Sequence, residues 1–223
     1  MYLIIKRVFD FISSLLFGLL ISPFLLPIII LLRVTSEGEV FYLQERVGYK
    51  NKKFKIYKFA TMLKNSPNME GGCVTTKNDP RLTMIGGFLR KTKINELPQL
   101  INVLLGNMSV VGPRPVMPVS FEAYPKKIQE FIYESKPGIT GIGSIVFRDE
   151  EDLITKVRDK GNDVWDFYKN TIYPYKGKLE LWYKENRSFM LDLKLVFITI
   201  WVVVFPKSKI YEKWLSGLPC REF

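Results

Sequence analysis

The sequence predicts an α/β protein, mostly helical with a small β element, carried on an N-terminal membrane segment. Three observations predict it. Phe11 to Leu32 is a run of 22 residues without a charge. Phe54 to Phe59 alternates apolar with basic residues, the period of a strand with one wet, cationic face. Several later stretches place apolar residues at helical spacing, Leu97, Leu100, Ile101 and Leu104 among them.

Lys6, Arg7 and Asp10 precede the uncharged run, and Arg33 follows it. As a straight helix it would measure roughly 33 Å, enough to cross a hydrocarbon core. A cleaved signal peptide fits poorly, because Asp10 interrupts the charged region and no Ala-x-Ala site follows. Ser22-Pro23 falls at the middle, with Pro27 beyond it. Each proline frees a carbonyl one turn back, and the Ser22 hydroxyl can satisfy one of them. Basic residues at both ends read as two cytoplasmic ends. A re-entrant hairpin and a kinked single span both satisfy these residues.

Residues 1–35 are thus a membrane segment, 36–205 a cytosolic and interfacial domain, and 206–223 a weakly constrained tail. The polar turn from Thr35 to Glu39 marks the boundary. Val40 to Leu43 and Phe54 to Phe59 read as strands, Asn65 to Asn78 as a loop containing Gly71-Gly72, and Asp79 as the opening of a helix to about Arg90. Asn95 is suited to cap a helix over Glu96–Leu105 that Gly106 stops; Pro98 is tolerated in its first turn. Phe121 to Tyr133 reads as a surface helix, and the glycines of Lys136 to Gly141 as backbone-permissive positions. Asp149 reads as a helix cap, with a metal-binding acid cluster over Asp149–Asp152 as the alternative. Val164 to Glu185 is a long helical pattern whose aromatic stripe belongs to a core or a membrane-interface belt. Leu195 to Phe205 is too short to span; it suits a buried or interfacial helix ended by Pro206.

The net charge of +11 is unevenly spread: Arg46 to Lys93 holds 12 Lys and Arg against two acids. A solvated basic face, a nucleotide-phosphate site, an anionic membrane surface and nucleic acid are the readings of such a run. Nucleic acid is set aside, because no recognition motif accompanies the charge and the N-terminus is apolar. The absence of histidine excludes Ser–His and Cys–His nucleophile pairs and His-based zinc sites. Cys73 and Cys220 fit unpaired thiols of a reducing compartment.

The chemistry concentrates between Asn78 and Pro115. Glu96 sits in the first turn of the expected helix, where free N–H groups favour negative charge. Arg114 lies between Pro113 and Pro115, on backbone stiffened at two φ angles and suited to two-pronged phosphate recognition. The short turn at Thr92 brings Arg90 and Lys93 toward the same helix start. Together these residues point to phosphoryl chemistry.

In these motifs the chain resembles the bacterial sugar transferase family, the small monotopic phosphoglycosyl transferases. The likeness runs through Ser22-Pro23, Phe54 to Phe59 followed by Thr61-Met62, Asp79 to Thr83, Leu89 to Thr92, Asn95 to Leu100, Val111 to Pro115, Lys136 to Gly141 and Phe189 to Lys194. It implies transfer of a sugar-1-phosphate from a UDP-sugar to polyprenol (undecaprenyl) phosphate, with release of UMP, as the first membrane step of exopolysaccharide or lipopolysaccharide synthesis. It also implies Mg²⁺ as cofactor, a re-entrant hairpin at Ser22 and Pro23, interfacial amphipathic helices and a site on the cytoplasmic face of the inner membrane. A homo-oligomer is compatible with it. Glu96 would hold Mg²⁺, Arg114 and Arg90 would bind the diphosphate, and Lys58 would steer it.

The family pattern has an Asp-Glu pair where this chain has Asn95-Glu96, and in that pattern the Asp is the covalent nucleophile. Three consequences stand open: Glu96 takes over as nucleophile, the lipid phosphate attacks directly, or the chain is a degenerate, membrane-anchored binder of donor or a partner enzyme. Ala60 stands where a basic residue is usual and Asn107 where Asp is usual. The segment from Ile142 to Phe147 lacks the usual Gln-containing turn.

Overall fold

The computed structural model describes residues 2–35, 37–69 and 79–223. Beyond Met69, the expected loop with its Gly71-Gly72 falls outside them, as do Cys73 and Ser36 of the boundary turn. Helix α1 (Tyr2–Thr35) takes in the whole apolar run, with Pro23 and Pro27 inside it. Ser22 Oγ donates to the Leu19 carbonyl at 2.9 Å, the acceptor that Pro23 cannot serve. Among the described residues α1 is the one helix long and apolar enough to cross a membrane.

The middle of α1 is exposed, whereas both ends rest on one folded body. Near the N-terminus Lys6 Nζ meets the Asp192 carboxylate at 2.7 Å, and Arg7 donates to the Val103 and Leu104 carbonyls at 2.6 and 3.0 Å. Buried Asp10 accepts from Ser109 Oγ at 2.7 Å and from the Val110 amide at 3.1 Å. Near the C-terminal end, Leu32 is buried against Phe59 and Leu89, with Leu25, Ile28 and Ile29 beside it.

Strand β1 (Phe41–Val47) pairs antiparallel with β2 (Lys53–Phe59), Phe41 opposite Phe59 and Val47 opposite Lys53. The strand forms as expected, but without a single wet, cationic face: Lys55 is exposed, whereas Lys58 shares the face of buried Ile56 and is turned into the protein, and Phe59 is buried on the opposite face. Helix α2 (Gly86–Lys91) begins later than expected. Asp79 folds onto Arg81 instead, accepting from its amide at 3.0 Å and its Nε at 2.8 Å, and Leu82 bridges to Met62, so the residues before α2 form a turn.

Lys93 adopts a left-handed φ of 63° and starts a tight 3-10 turn over Ile94–Glu96, which leads through Pro98 into α3 (Gln99–Leu104). The expected helix over Glu96–Leu105 is therefore shortened at its start, and Asn95 is not its cap. The amides of Glu96 and Leu97 are already bonded to Lys93 and Ile94. Asn95 is 6% exposed, and its Oδ1 has no hydrogen-bond partner. Gly106, at φ 83°, stops α3 as expected.

Strand β3 (Ser109–Val111) lies parallel to β4 (Gly138–Thr140). A Cβ on Gly138 would stand 2.1 Å from the Gly112 amide, so this glycine serves close backbone approach and not conformational freedom. Between the strands, α4 (Pro118–Glu122) and α5 (Lys126–Phe131) replace the single helix expected over Phe121–Tyr133, because Pro125 breaks it.

The main core is built by α6 (Ile142–Val146), α7 (Glu150–Asp159), α8 (Val164–Phe167), a π-turn over Tyr168–Ile172, α9 (Tyr173–Asn186) and α10 (Phe189–Val204). The aromatic stripe is core: Tyr168, Tyr175, Trp182 and Tyr183 are buried. Asp149 precedes α7, but its carboxylate takes Arg221 at 2.7 Å and makes no cap bond. Helix α10 buries Leu191, Leu195, Ile198 and Val202 and exposes Phe197, Ile200, Trp201 and Val204. The C-terminal residues are not loose. After α11 (Ile210–Trp214), Leu215 is buried, Tyr175 donates to the Pro219 carbonyl at 2.9 Å, and the Phe223 ring meets Tyr175 edge-on at 5.5 Å.

Candidate functional site

Glu96 is the centre of the site. It projects from the turn before α3 and meets Arg114 from the turn after β3, residues 18 apart in sequence. Arg114 Nη1 donates to Glu96 Oε2 at 3.1 Å, and Nη2 makes a closer contact with Oε1. This is the two-pronged geometry that only a guanidinium offers a carboxylate. Lys58, from β2, brings its Nζ to 3.9 Å from Oε1. The side chains of Glu96 and Lys58 are 12% and 15% exposed and that of Arg114 is 38%, so Arg114 is the member an incoming molecule meets first.

Arg46, Arg90 and Lys93 surround the same carboxylate and feel its charge. Burial pushes the Glu96 carboxyl up, but Arg114 and Lys58 outweigh it and hold the group well below the usual carboxylate range. Burial lowers the Lys58 ammonium to about 7; Glu96 opposes that fall, while Arg46, Arg114 and Arg90 add to it. Burial likewise lowers Arg46 to about 10, with Arg114 contributing. Glu96 raises Arg114. Glu150 also acts on Arg114, and Glu151 and Asp79 on Arg90, but cations predominate around the fork, a surrounding that suits an anionic ligand.

The turn that carries Arg114 is fixed through its backbone. Tyr133 Oη donates to the Arg114 carbonyl at 2.8 Å and accepts from the Val116 amide at 3.0 Å. Val47 N donates to Val116 O at 2.9 Å, and Arg46 Nη1 donates to Pro115 O at 3.3 Å. Of the residues singled out from sequence, Glu96, Arg114 and Lys58 come into contact, Arg90 joins their electrostatic field, and Asn95 lies beside them with its amide oxygen unpaired. Ser22 and Pro23 lie apart, in the exposed middle of α1. Sequence reasoning missed Arg46 and Tyr133. Arg46 follows Gln44 and Glu45 in the polar half of β1, where nothing local marks it out, and Tyr133 gave no signal either.

Among the described residues no group of three or more His, Cys, Asp or Glu side chains converges. Glu96 is the candidate carboxylate for magnesium, which needs only one or two carboxylates when substrate phosphates supply the remaining oxygens. Arg114 occupies both Glu96 oxygens, so the residue fits that role on release of one of those bonds.

Residues 1–206 match the family described as bacterial sugar transferase. The chain is 36% identical over 207 residues to the exopolysaccharide production protein PSS of Rhizobium leguminosarum bv. phaseoli, covering 90% of this chain and 95% of that one. It is 39% identical over 209 residues to a UDP-glucose:undecaprenyl-phosphate glucose-1-phosphate transferase of Klebsiella pneumoniae, covering 92% of this chain and 41% of that one. It is 35% identical over 204 residues to a UDP-N-acetylgalactosamine-undecaprenyl-phosphate N-acetylgalactosaminephosphotransferase of Aeromonas hydrophila, covering 89% and 43%. The chain thus spans nearly all of the first relative and about two-fifths of the other two.

Proposed function

The chain belongs to the bacterial sugar transferase family, and on that footing we propose that it transfers a sugar-1-phosphate from a UDP-sugar to polyprenol phosphate, releasing UMP, in exopolysaccharide or lipopolysaccharide synthesis. The observation that carries this reading is the Glu96–Arg114 fork inside a cluster of part-buried cations. Such a cluster is costly alone and is offset by a bound diphosphate. Arg114, the most exposed of the three contacting groups, exchanges its carboxylate partner for donor phosphate oxygens. Lys58 and Arg90 add charge behind it.

The reaction forms a bond from an oxygen of the lipid phosphate to the phosphorus that bears the sugar. It breaks the bond from that phosphorus to the bridging oxygen, which leaves with UMP. Asn95 is an amide and a very poor nucleophile at phosphorus. Glu96, released when Arg114 turns to the donor, is the carboxylate left to hold magnesium, so the lipid phosphate is taken as the attacking group, with the protein supplying position and charge. Magnesium, when held by Glu96 and the diphosphate, would neutralise charge on the leaving UMP.

The membrane seat belongs to the same proposal. A straight helix of 34 residues would be about 51 Å long. Contact of both α1 ends with one body, and exposure of its middle, support a re-entrant bend at Ser22-Pro23 with both ends at the cytoplasmic leaflet of the inner membrane. The apolar outer face of α10, with Trp214 stacked on Phe197 at 5.4 Å, suits an interfacial helix. Two of the relatives named above carry different sugars in their names, glucose and N-acetylgalactosamine, so the donor is to be found by assay. Purified protein is incubated with a panel of UDP-sugars, with and without polyprenol phosphate. UMP appearing for at least one sugar, and only with the lipid, is the expected result; none for any donor would refute the proposal. Intact mass after incubation with donor alone tests the route, because a sugar-phosphate adduct would exclude direct attack.

A further inference from the structure

We propose that Tyr133 is a positioning residue for the transfer, acting through the backbone that carries Arg114; this rests on the function proposed above. Tyr133 is 1% exposed and its ring is stacked on Phe121 at 5.9 Å, so the hydroxyl has one fixed place. From there it serves both sides of the Arg114 turn, donating to the Arg114 carbonyl at 2.8 Å and accepting from the Val116 amide at 3.0 Å. Both backbone groups thereby find a partner away from water.

The two prolines lock the φ angles on either side of Arg114, and Pro115 restricts the Arg114 backbone sterically, but they cannot fix where the turn sits relative to Glu96. Tyr133 does that from the segment after α5, and Val47 from the other side at 2.9 Å. A guanidinium must meet two phosphate oxygens at once, so a small shift of its backbone costs one of the two bonds. Tyr133 touches neither Glu96 nor the Arg114 guanidinium by hydrogen bond, which makes its role indirect.

The test is Tyr133→Phe, which keeps the ring and removes the hydroxyl. UMP release is expected to show kcat reduced about tenfold or more, with KM for the UDP-sugar changed less than about threefold. In an Arg114→Lys background, where the fork is already lost, adding Tyr133→Phe is expected to change kcat less than about twofold. Hydrogen exchange at the Val116 amide should rise in the variant while the α9 and α10 amides keep their protection. Wild-type kcat in Tyr133→Phe would overturn the proposal. So would an effect of full size in the Arg114→Lys background, which marks a general loss of structure. A silent wild-type enzyme would instead refute the transferase reading, and unchanged exchange at Val116 would then still refute the positioning role of Tyr133.

Discussion

Arg114→Lys separates two-pronged recognition from mere positive charge. The wild-type guanidinium gives Glu96 two parallel donors, one at 3.1 Å and one closer, whereas an ammonium is a single point charge on a shorter reach. When the donor replaces Glu96, the lysine variant forfeits one charge-assisted hydrogen bond, worth about 1.5–3 kcal/mol. Because the Arg114 side chain is 38% exposed, solvent screens part of that, and the lower end of the range, about 1.5–2 kcal/mol, is the better figure. At about 1.4 kcal/mol per factor of ten, the loss is roughly 10- to 30-fold in kcat/KM. The assay is steady-state UMP release at fixed polyprenol phosphate with the UDP-sugar varied, beside a melting curve to exclude unfolding. A folded variant within threefold of wild type would refute the reasoning, since charge alone would then suffice.

The Lys58 ammonium sits at about 7 in the free protein, chiefly through burial, with Glu96, Arg46, Arg114 and Arg90 as its charged neighbours. As pH rises through that value the site loses a cation, so kcat/KM for the donor should fall on the alkaline side; Lys58→Arg, which stays charged, should flatten that limb in a profile from about pH 6 to 9. A limb unchanged in the variant would assign the titration elsewhere. Glu180 is 5% exposed, its Oε2 has no partner, and burial pushes its carboxyl up from 4.5 to about 8. Between those values the unfolded chain has lost the proton that the folded chain keeps, so the stability this group contributes declines as pH rises through the window. Glu180→Gln should therefore gain thermal stability over wild type from acid toward pH about 8, and equal gains at both ends would contradict the assignment.

Much of the frame could be read from local pattern. The apolar run, the Ser22 hydroxyl satisfying the carbonyl left by Pro23, the existence of strand β2, the stop at Gly106 and the long run into α9 each follow from a few neighbouring residues. Arg114 was also legible, because a proline-flanked arginine is a local signal; Glu96 was picked out from an expected helix start that the structure moves to Gln99. What failed were assignments decided elsewhere in the chain. Asn95 has the right chemistry for a cap, but the left-handed turn at Lys93 closes the amides it would have served. Asp149 likewise has cap chemistry, but Arg221, 72 residues on, takes its carboxylate. Composition made the C-terminal residues look loose, whereas Tyr175 and Phe147 hold them through ring contacts with Phe223. Tyr133 reaches its partners across a fold that no spacing encodes.

The charge of Glu96 beside Arg114 is what the proposed transfer depends on most directly. Protein reconstituted in vesicles carrying polyprenol phosphate is given a competent UDP-sugar, and UMP release is compared between wild type and Glu96→Gln, which keeps the shape and removes the charge. Release is expected to need the lipid phosphate and to fall about 100-fold or more in the variant. Release at the wild-type rate from Glu96→Gln would contradict that dependence.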